Sequence, residues 1–302
     1  MGRRILTASV ALPPLLFVVW QGGAWFAALI TLAAALGAWE LSRMAEGWGQ
    51  RPLMSLAIVL SAGLPLSAYF IYGDFAPLPG AENLPSVIAP LALVSAAMTL
   101  FVHRTRGVLG RVLATCCVIG VVGGTLFHAI PLRSLDSWQI SEGPSLLVLV
   151  EVGHVFRSLD SWSAEGLSWI VFLLAVTFAT DTAAYFVGRA FGSRKLAPNV
   201  SPNKTWEGAI GGFCGAVLCG VGLEAMLGLD ADLPTIALMS AILGITGQLG
   251  DLYESKLKRL AGVKDSGHLF PGHGGVLDRM DSLMWNVVVL YHMVALTSGS
   301  VS

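Results

Sequence analysis

The feature that most constrains this chain is a succession of apolar segments, each about as long as a membrane is thick. A helix needs about 20 mostly apolar residues to cross a bilayer. Only 12% of the 302 residues are charged, whereas an ordinary soluble domain carries roughly 25%. The sequence therefore predicts an all-α, polytopic membrane protein with nine transmembrane helices. The predicted spans are 5–20, 24–41, 53–72, 86–102, 112–131, 168–188, 208–229, 234–253 and 283–299.

Basic residues are distributed unevenly over the loops between these spans. When alternate loops are assigned to opposite sides, all of the 18 Lys and Arg residues except Arg133 and Arg157 fall on one side. Because cytoplasmic loops collect Lys and Arg, we expect a cytoplasmic N-terminus in a multi-pass protein of the cell membrane, specifically a bacterial inner membrane. The net charge of −1 argues against a nucleic-acid partner.

The distribution of polar residues divides the chain into three parts. Residues 1–131 read as a transmembrane scaffold, 132–167 as an extracytoplasmic loop, and 168–302 as a transmembrane catalytic region with its site on the cytoplasmic face. The first residues resemble a signal peptide, but no small-x-small cleavage pattern follows, so we interpret them as a retained span.

The 132–167 loop contains one repeated motif. The pentapeptide Ser-Leu-Asp-Ser-Trp occurs at 134–138 and again at 158–162. The two copies frame a small hairpin or a re-entrant segment; the alternative is that the repeat is coincidental.

Polar residues suited to catalysis gather beside the cytoplasmic ends of spans six to nine, in three blocks. In the first, Asp181 lies inside span six, where an acid is costly unless it is partnered or faces a polar cavity. It is either a site residue or part of an interhelical hydrogen bond. Ser201-Pro202 and Thr205 are typical of helix starts. Free N–H groups at such a start, beside Lys204, would bind a phosphate; the alternative is an ordinary capped helix with a snorkelling lysine.

Span seven opens with glycines at positions 208, 211, 212 and 215, which form two interleaved GxxxG spacings. This pattern is typical of close helix packing in membranes. It fits either a contact within one subunit or a homodimer.

The second block lies at the end of span eight. If the helix continues there, Asp251, Ser255 and Lys258 stand at i, i+4 and i+7 and line one face. A solvated helix end would also be charged, but it would not need an aspartate beside a glycine at membrane depth.

The third block runs from Lys264 to Asp281. Its Gly-His-Gly-Gly run lets backbone amides approach an anion closely. Asp278 and Asp281 follow at i and i+3, and two carboxylates on one turn suggest a hard cation with oxygen ligands, hence Mg²⁺. His273 has no Cys or His partner for a zinc site, so a hydrogen bond to phosphate is its more economical role.

Residues Ser255 to Asp281 carry the pattern Ser-x-apolar-Lys-Arg-x4-Lys-Asp-x-small-x2-apolar-Pro-x-His-Gly-Gly-apolar-x-Asp-Arg-apolar-Asp. In these residues the chain resembles the phosphatidate cytidylyltransferases, also called CDP-diacylglycerol synthases. The resemblance extends upstream through 201–208 and 181–195, and covers about 175–285 in all. The first 130 residues match only in hydropathy, and the 132–167 loop is longer than expected for the family.

The resemblance implies that CTP and phosphatidate, a membrane lipid, give CDP-diacylglycerol and pyrophosphate. It implies Asp251, Asp278 and Asp281 as metal ligands around Mg²⁺, with or without a second cation, and these residues with Lys258 as the catalytic group. The expected substrate-binding residues are Asp181, Ser201, Lys204, Ser255, Arg259, Lys264, Asp265, His273, Gly274, Gly275 and Arg279.

Residue chemistry agrees with this reaction independently. A phosphate monoester has a second pKa near 6, so the nucleophile is largely anionic at neutral pH and needs no strong base. The reaction needs neutralisation of charge, which metal ions and fixed cations supply.

The residues by themselves leave other functions open. A polyprenol or phytol kinase would accept an alcohol and usually needs a base to deprotonate it, and a related enzyme would act on an ether-linked archaeal lipid. A transporter would place ionisable residues at mid-membrane in two related halves, whereas here they gather at one surface of the C-terminal half.

Overall fold

The computed structural model describes residues 13–72, 83–135, 164–229, 231–269 and 274–297. In these ranges eight helices are long and apolar enough to cross a membrane. Residues 13–21 are also helical and end the first predicted span, whose remainder lies outside the described residues. The other eight predicted spans are confirmed as helices. They are α1 Gly23–Gly47, α2 Met54–Tyr72, α3 Leu84–Val102, α4 Gly107–Arg133, α5 Ala164–Phe191, α6 Trp206–Leu227, α7 Leu233–Leu260 and α8 Leu277–Thr297.

Two of these helices are irregular. In α4, α-helical turns flank a π-helical segment, Ile119–Gly124, where a Cβ on Gly120 would collide with Ser95 and one on Gly123 with Ser61. Glycine therefore lets α2 and α3 approach this wider stretch of backbone. In α8, a short first turn, Leu277–Met280, precedes the continuous helix Leu283–Thr297.

A short hairpin connects α5 to α6. Its strands β1, Lys195–Ala197, and β2, Ser201–Thr205, pair antiparallel. The prediction that Ser201-Pro202 begins a helix is wrong, because a fixed proline φ suits an exposed strand as well as a first helical turn. The helix begins at Trp206, and the Thr205 side chain caps it by accepting a hydrogen bond from Gly208 N at 3.1 Å.

The glycine-rich face of α6 packs against α5 inside the subunit. A Cβ on Gly211 would collide with Val187, and one on Gly215 with Ala183. The interpretation of the GxxxG spacings as a contact within one subunit is confirmed. This face therefore does not support the homodimer alternative.

Polar contacts join α7 to the N-terminal half of the chain. The Tyr253 hydroxyl lies 2.5 Å from Thr99 Oγ1 of α3, and Trp48 Nε1, just after α1, donates to Leu257 O at 3.2 Å. Their effect is to hold the N-terminal helices against the part of α7 that bears the predicted site.

Of the predicted extracytoplasmic loop, residues 132–167, the structure describes only the two ends. Helix α4 ends at Arg133 and α5 begins at Ala164. Most of the repeated pentapeptide, like residues 136–163 in general, lies outside the described residues.

We predict that Gly215→Leu lowers the apparent melting temperature of the detergent-solubilised protein. The new side chain would push α5 from α6, and overpacking of this kind costs about 1–3 kcal/mol. Gly222→Leu is the matched control, because Gly222 lies on the same helix and a Cβ there would have no neighbouring atom within 4 Å. Equal melting temperatures for the two variants, measured by tryptophan fluorescence at one scan rate, would contradict this account of the packing.

Candidate active site

An ion pair links the hairpin to α7. Lys204 Nζ on β2 lies 2.5 Å from Asp251 Oδ2, and both side chains are about a quarter exposed (26% and 27%). Because α7 continues to Leu260, the predicted alignment of Asp251 and Ser255 on one helical face is confirmed. The Ser255 hydroxyl donates to Asp251 Oδ1 at 3.3 Å.

Three aspartates from different helices lie close enough for their charges to interact. The charge of Asp251 acts on both Asp181 of α5 and Asp281 of α8. The positive charges of Lys204 and Arg279 act on Asp181, and that of Lys258 acts on Asp281. We call Asp181, Asp251 and Asp281 the aspartate cluster. Mutual repulsion makes it a place where bound positive charge is favourable.

A second group of charges is buried next to the cluster. Lys258 Nζ contacts Glu254 and lies 2.7 Å from Asp278 Oδ1. The side chains of Lys258, Glu254 and Asp278 are 12%, 4% and 6% exposed. Glu254 was not among the predicted site residues, although its position four residues before Lys258 is the spacing of a helical ion pair.

The other oxygen of Asp278 binds the loop between α7 and α8. Asp278 Oδ2 accepts from Ser266 N and Gly275 N at 2.8 Å and lies 2.9 Å from Ser266 Oγ. Gly274 has a φ of +81°, and a Cβ there would collide with Asp278. In the described part of the run, Gly274 and Gly275 therefore do approach an anion closely as predicted, but that anion is a carboxylate of the chain itself.

The two carboxylates predicted to act together thus face different partners. Asp278 binds the loop and Lys258, whereas Asp281 lies in the aspartate cluster and accepts from Ser282 N at 2.7 Å. The break after the turn Leu277–Met280 separates them.

The remaining predicted residues are spread around this core. Arg259 is exposed and donates from Nε to Val200 O at 3.1 Å, which fastens the hairpin to α7. Lys264 and Asp265 are exposed on the loop, and Ser201 is partly buried on β2. His273 lies outside the described residues.

Carboxylate oxygens are suitable ligands for Mg²⁺, and the repulsion within the aspartate cluster is what a divalent cation relieves. Among the residues that the structure describes, no group of three or more His, Cys, Asp or Glu side chains is already arranged around a metal position. Asp278 could bind a cation only by exchanging Lys258 or its loop donors. The donor chemistry fits Mg²⁺, and the ligand set stays a prediction.

Comparison with known proteins gives the family. The sequence profile of the cytidylyltransferase family matches residues 2–297. The chain belongs to the cytidylyltransferase family. The resemblance inferred from Ser255 to Asp281 is confirmed.

Several bacterial relatives of this cytidylyltransferase-family chain bear the name phosphatidate cytidylyltransferase. The protein of Brucella suis biovar 1 is 52% identical over 173 residues, which are 56% of this chain and 63% of the relative. That of Bacillus subtilis strain 168 is 44% identical over 149 residues, 48% of this chain and 54% of the relative. That of Staphylococcus epidermidis strain ATCC 12228 is 42% identical over 145 residues, which are 48% of this chain and 56% of the relative. The chain thus spans less than two thirds of the length of these relatives.

We predict that Lys258→Met destabilises the protein, because it leaves Glu254 and Asp278 buried side by side without a cation. Removing one partner of a buried ion pair typically costs about 3–5 kcal/mol. Adding Glu254→Gln should recover much of this loss, since Glu254 forms no hydrogen bond within the described residues besides its ion pair, whereas Asp278 keeps its loop donors.

The control is Lys256→Met, an exposed lysine on the same helix. Thermal melting in detergent measures all three variants. A Lys258→Met protein as stable as Lys256→Met would contradict the assigned ion pairs.

Proposed function

We propose that this chain transfers the cytidylyl group of CTP to phosphatidate, giving CDP-diacylglycerol and pyrophosphate for phospholipid synthesis. The observation that carries the proposal is the aspartate cluster with Lys204, Lys258 and Arg279 around it. It lies at one end of a helix bundle, in a chain similar over about half its length to relatives named phosphatidate cytidylyltransferase.

The reaction forms one bond and breaks one. An oxygen of the phosphatidate phosphate bonds to the α-phosphorus of CTP, and the bond from that phosphorus to the oxygen bridging to the β-phosphate breaks. Pyrophosphate leaves with the electron pair. Because the attacking phosphate is largely anionic at neutral pH, the site has to neutralise charge rather than remove a proton.

In the proposal, basic side chains and one hydroxyl help to neutralise the charge of the phosphates and to position the acids. Lys204 and Arg279, beside Asp181, bind phosphate oxygens of the substrates, with the exposed Lys264 reaching from the loop. Lys258 is a fixed positive charge that faces Asp281 and holds Asp278. Ser255 orients Asp251 through its hydrogen bond.

The other predicted substrate residues keep subsidiary parts in this proposal. Ser201 and Arg259 shape and fasten the hairpin that carries Lys204. We assign Asp265, His273, Gly274 and Gly275 to binding of the substrates, as predicted from the sequence.

Mg²⁺ would be held by carboxylate oxygens of Asp251 and Asp281, with Asp181 beside them and Asp278 available on release of its present partners. When bound, it supplies positive charge to the approaching phosphates and the departing pyrophosphate. The proposal holds with or without a second cation, and it holds for a monomer or a homodimer.

We place the site on the cytoplasmic side of a bacterial inner membrane. The distribution of Lys and Arg supports this side, and the relatives are bacterial. CTP then reaches the helix ends from the cytoplasm while the acyl chains of the lipid stay between helices.

We predict that the purified protein with phosphatidate, CTP and Mg²⁺ forms CDP-diacylglycerol, detected by mass spectrometry of the lipid extract. EDTA should stop formation, and added Mg²⁺ should restore it. No product from folded protein would contradict the proposal, and isoprenoid alcohols would then be the acceptors to test.

We further predict that Asp251→Asn lowers turnover at least about 10²-fold, the scale for losing one preorganised charge in a site. Asp232→Asn is the matched control. Asp232 caps the other end of α7 by accepting from Thr235 N, and Asn caps helices equally well. Near-normal turnover by Asp251→Asn would remove the aspartate cluster from the mechanism.

A further inference from the structure

Glu40 is a buried acid in the N-terminal half whose hydrogen bonds all go to the opposite end of the chain. It lies on α1 with 1% of its surface exposed. Its Oε1 accepts from Val276 N at 2.9 Å, and its Oε2 accepts from Leu277 N at 2.9 Å and shares the one proton of the Ser266 hydroxyl, also 2.9 Å away, with Asp278. These donors belong to the loop and first turn that lead into α8.

Burying a carboxylate is costly unless hydrogen bonds or an opposite charge offset the loss of water. The hydrogen bonds of Glu40 all come from uncharged donors, and within the described residues it forms no ion pair. The arrangement is therefore stable only while Ser266, Val276 and Leu277 hold their present positions. A change in the loop would leave a buried charge unsatisfied.

The loop has glycine where Glu40 needs space. A Cβ on Gly267 would meet only Glu40 atoms among its nearest neighbours, and a Cβ on Gly275 would collide with the carboxylate itself. The loop and the acid thus fit each other closely, although more than 220 residues separate them.

Ser266 connects Glu40 to the candidate active site. Its hydroxyl lies 2.9 Å from both Glu40 Oε2 and Asp278 Oδ2. Asp278 in turn pairs with Lys258. A continuous set of polar contacts therefore runs from α1 through the loop to α7.

We propose that Glu40 is a positioning residue, which sets the loop residues 264–269 and 274–277 and through them Asp278 and Lys258 for catalysis. The catalytic part of this inference rests on the proposed function; the structural part does not. Glu40 touches no substrate in this account and acts only through the loop.

The test is Glu40→Gln, which keeps the shape but replaces one acceptor oxygen with an amide NH₂ group that faces N–H or O–H donors. Glu46→Gln is the control, an exposed glutamate on the same helix. Hydrogen–deuterium exchange measures how well the backbone amides of the loop are protected, without any assay of activity. We expect loop peptides to exchange at least about tenfold faster in Glu40→Gln, as for loss of a hydrogen bond to a charged group, while peptides of α5 and α6 are unchanged.

Activity gives the second measurement. A loop displaced by about 1 Å can cost about 10²-fold in rate, so kcat should fall on that scale with the KM for CTP changed only a few-fold. Gly267→Ala supplies an independent variant. As a single substitution, Gly267→Ala should lower kcat. Added to Glu40→Ala, it should lower kcat by less than about a further twofold, because the effects of contacting residues are non-additive and the carboxylate that the new methyl group would meet is gone.

Four outcomes overturn the proposal. They are loop exchange equal to that of Glu46→Gln, faster exchange throughout the molecule, faster loop exchange with unchanged kcat, and additive effects of Gly267→Ala and Glu40→Ala. If the unsubstituted protein forms no CDP-diacylglycerol, the proposed function fails, and loop exchange still decides whether Glu40 sets the loop.

Discussion

The structure depends on two buried carboxylates whose charge is offset mainly by one loop. Glu40 and Asp278 together accept hydrogen bonds from the amides of Ser266, Gly275, Val276 and Leu277 and from the Ser266 hydroxyl. Both side chains are buried, so water cannot readily take over these roles. Folding the loop and packing α1 against the C-terminal helices are therefore one physical problem.

This arrangement divides the acidic residues into two groups with different tasks. Asp278 and Glu40 are surrounded by donors and fix the backbone, whereas the aspartate cluster remains exposed to its own repulsion. The break in α8 separates Asp278 from Asp281 so that one turn serves both groups. Lys258 pairs with Asp278 and its charge acts on Asp281, so it links the loop to the aspartate cluster.

Much of this was predictable from sequence, for identifiable reasons. The spans follow from the length of apolar runs, and the site residues of α7 and α8 follow from helical spacing and a dense motif. The strand at Ser201-Pro202 was missed because proline fits both structures. Glu254 could have been found from its spacing to Lys258. Glu40 could not, because a single acid in an apolar helix says nothing about a partner more than 220 residues away.

The most direct test of the central claim is the position of the phosphorus that reaches the lipid. Two reactions would use CTP labelled with ³²P at either the α- or the γ-phosphate, with phosphatidate as acceptor. Transfer of a cytidylyl group predicts that the lipid takes label from the α-phosphate alone, and that γ-label appears in pyrophosphate. Lipid labelled from the γ-phosphate would show phosphoryl transfer and would contradict the account.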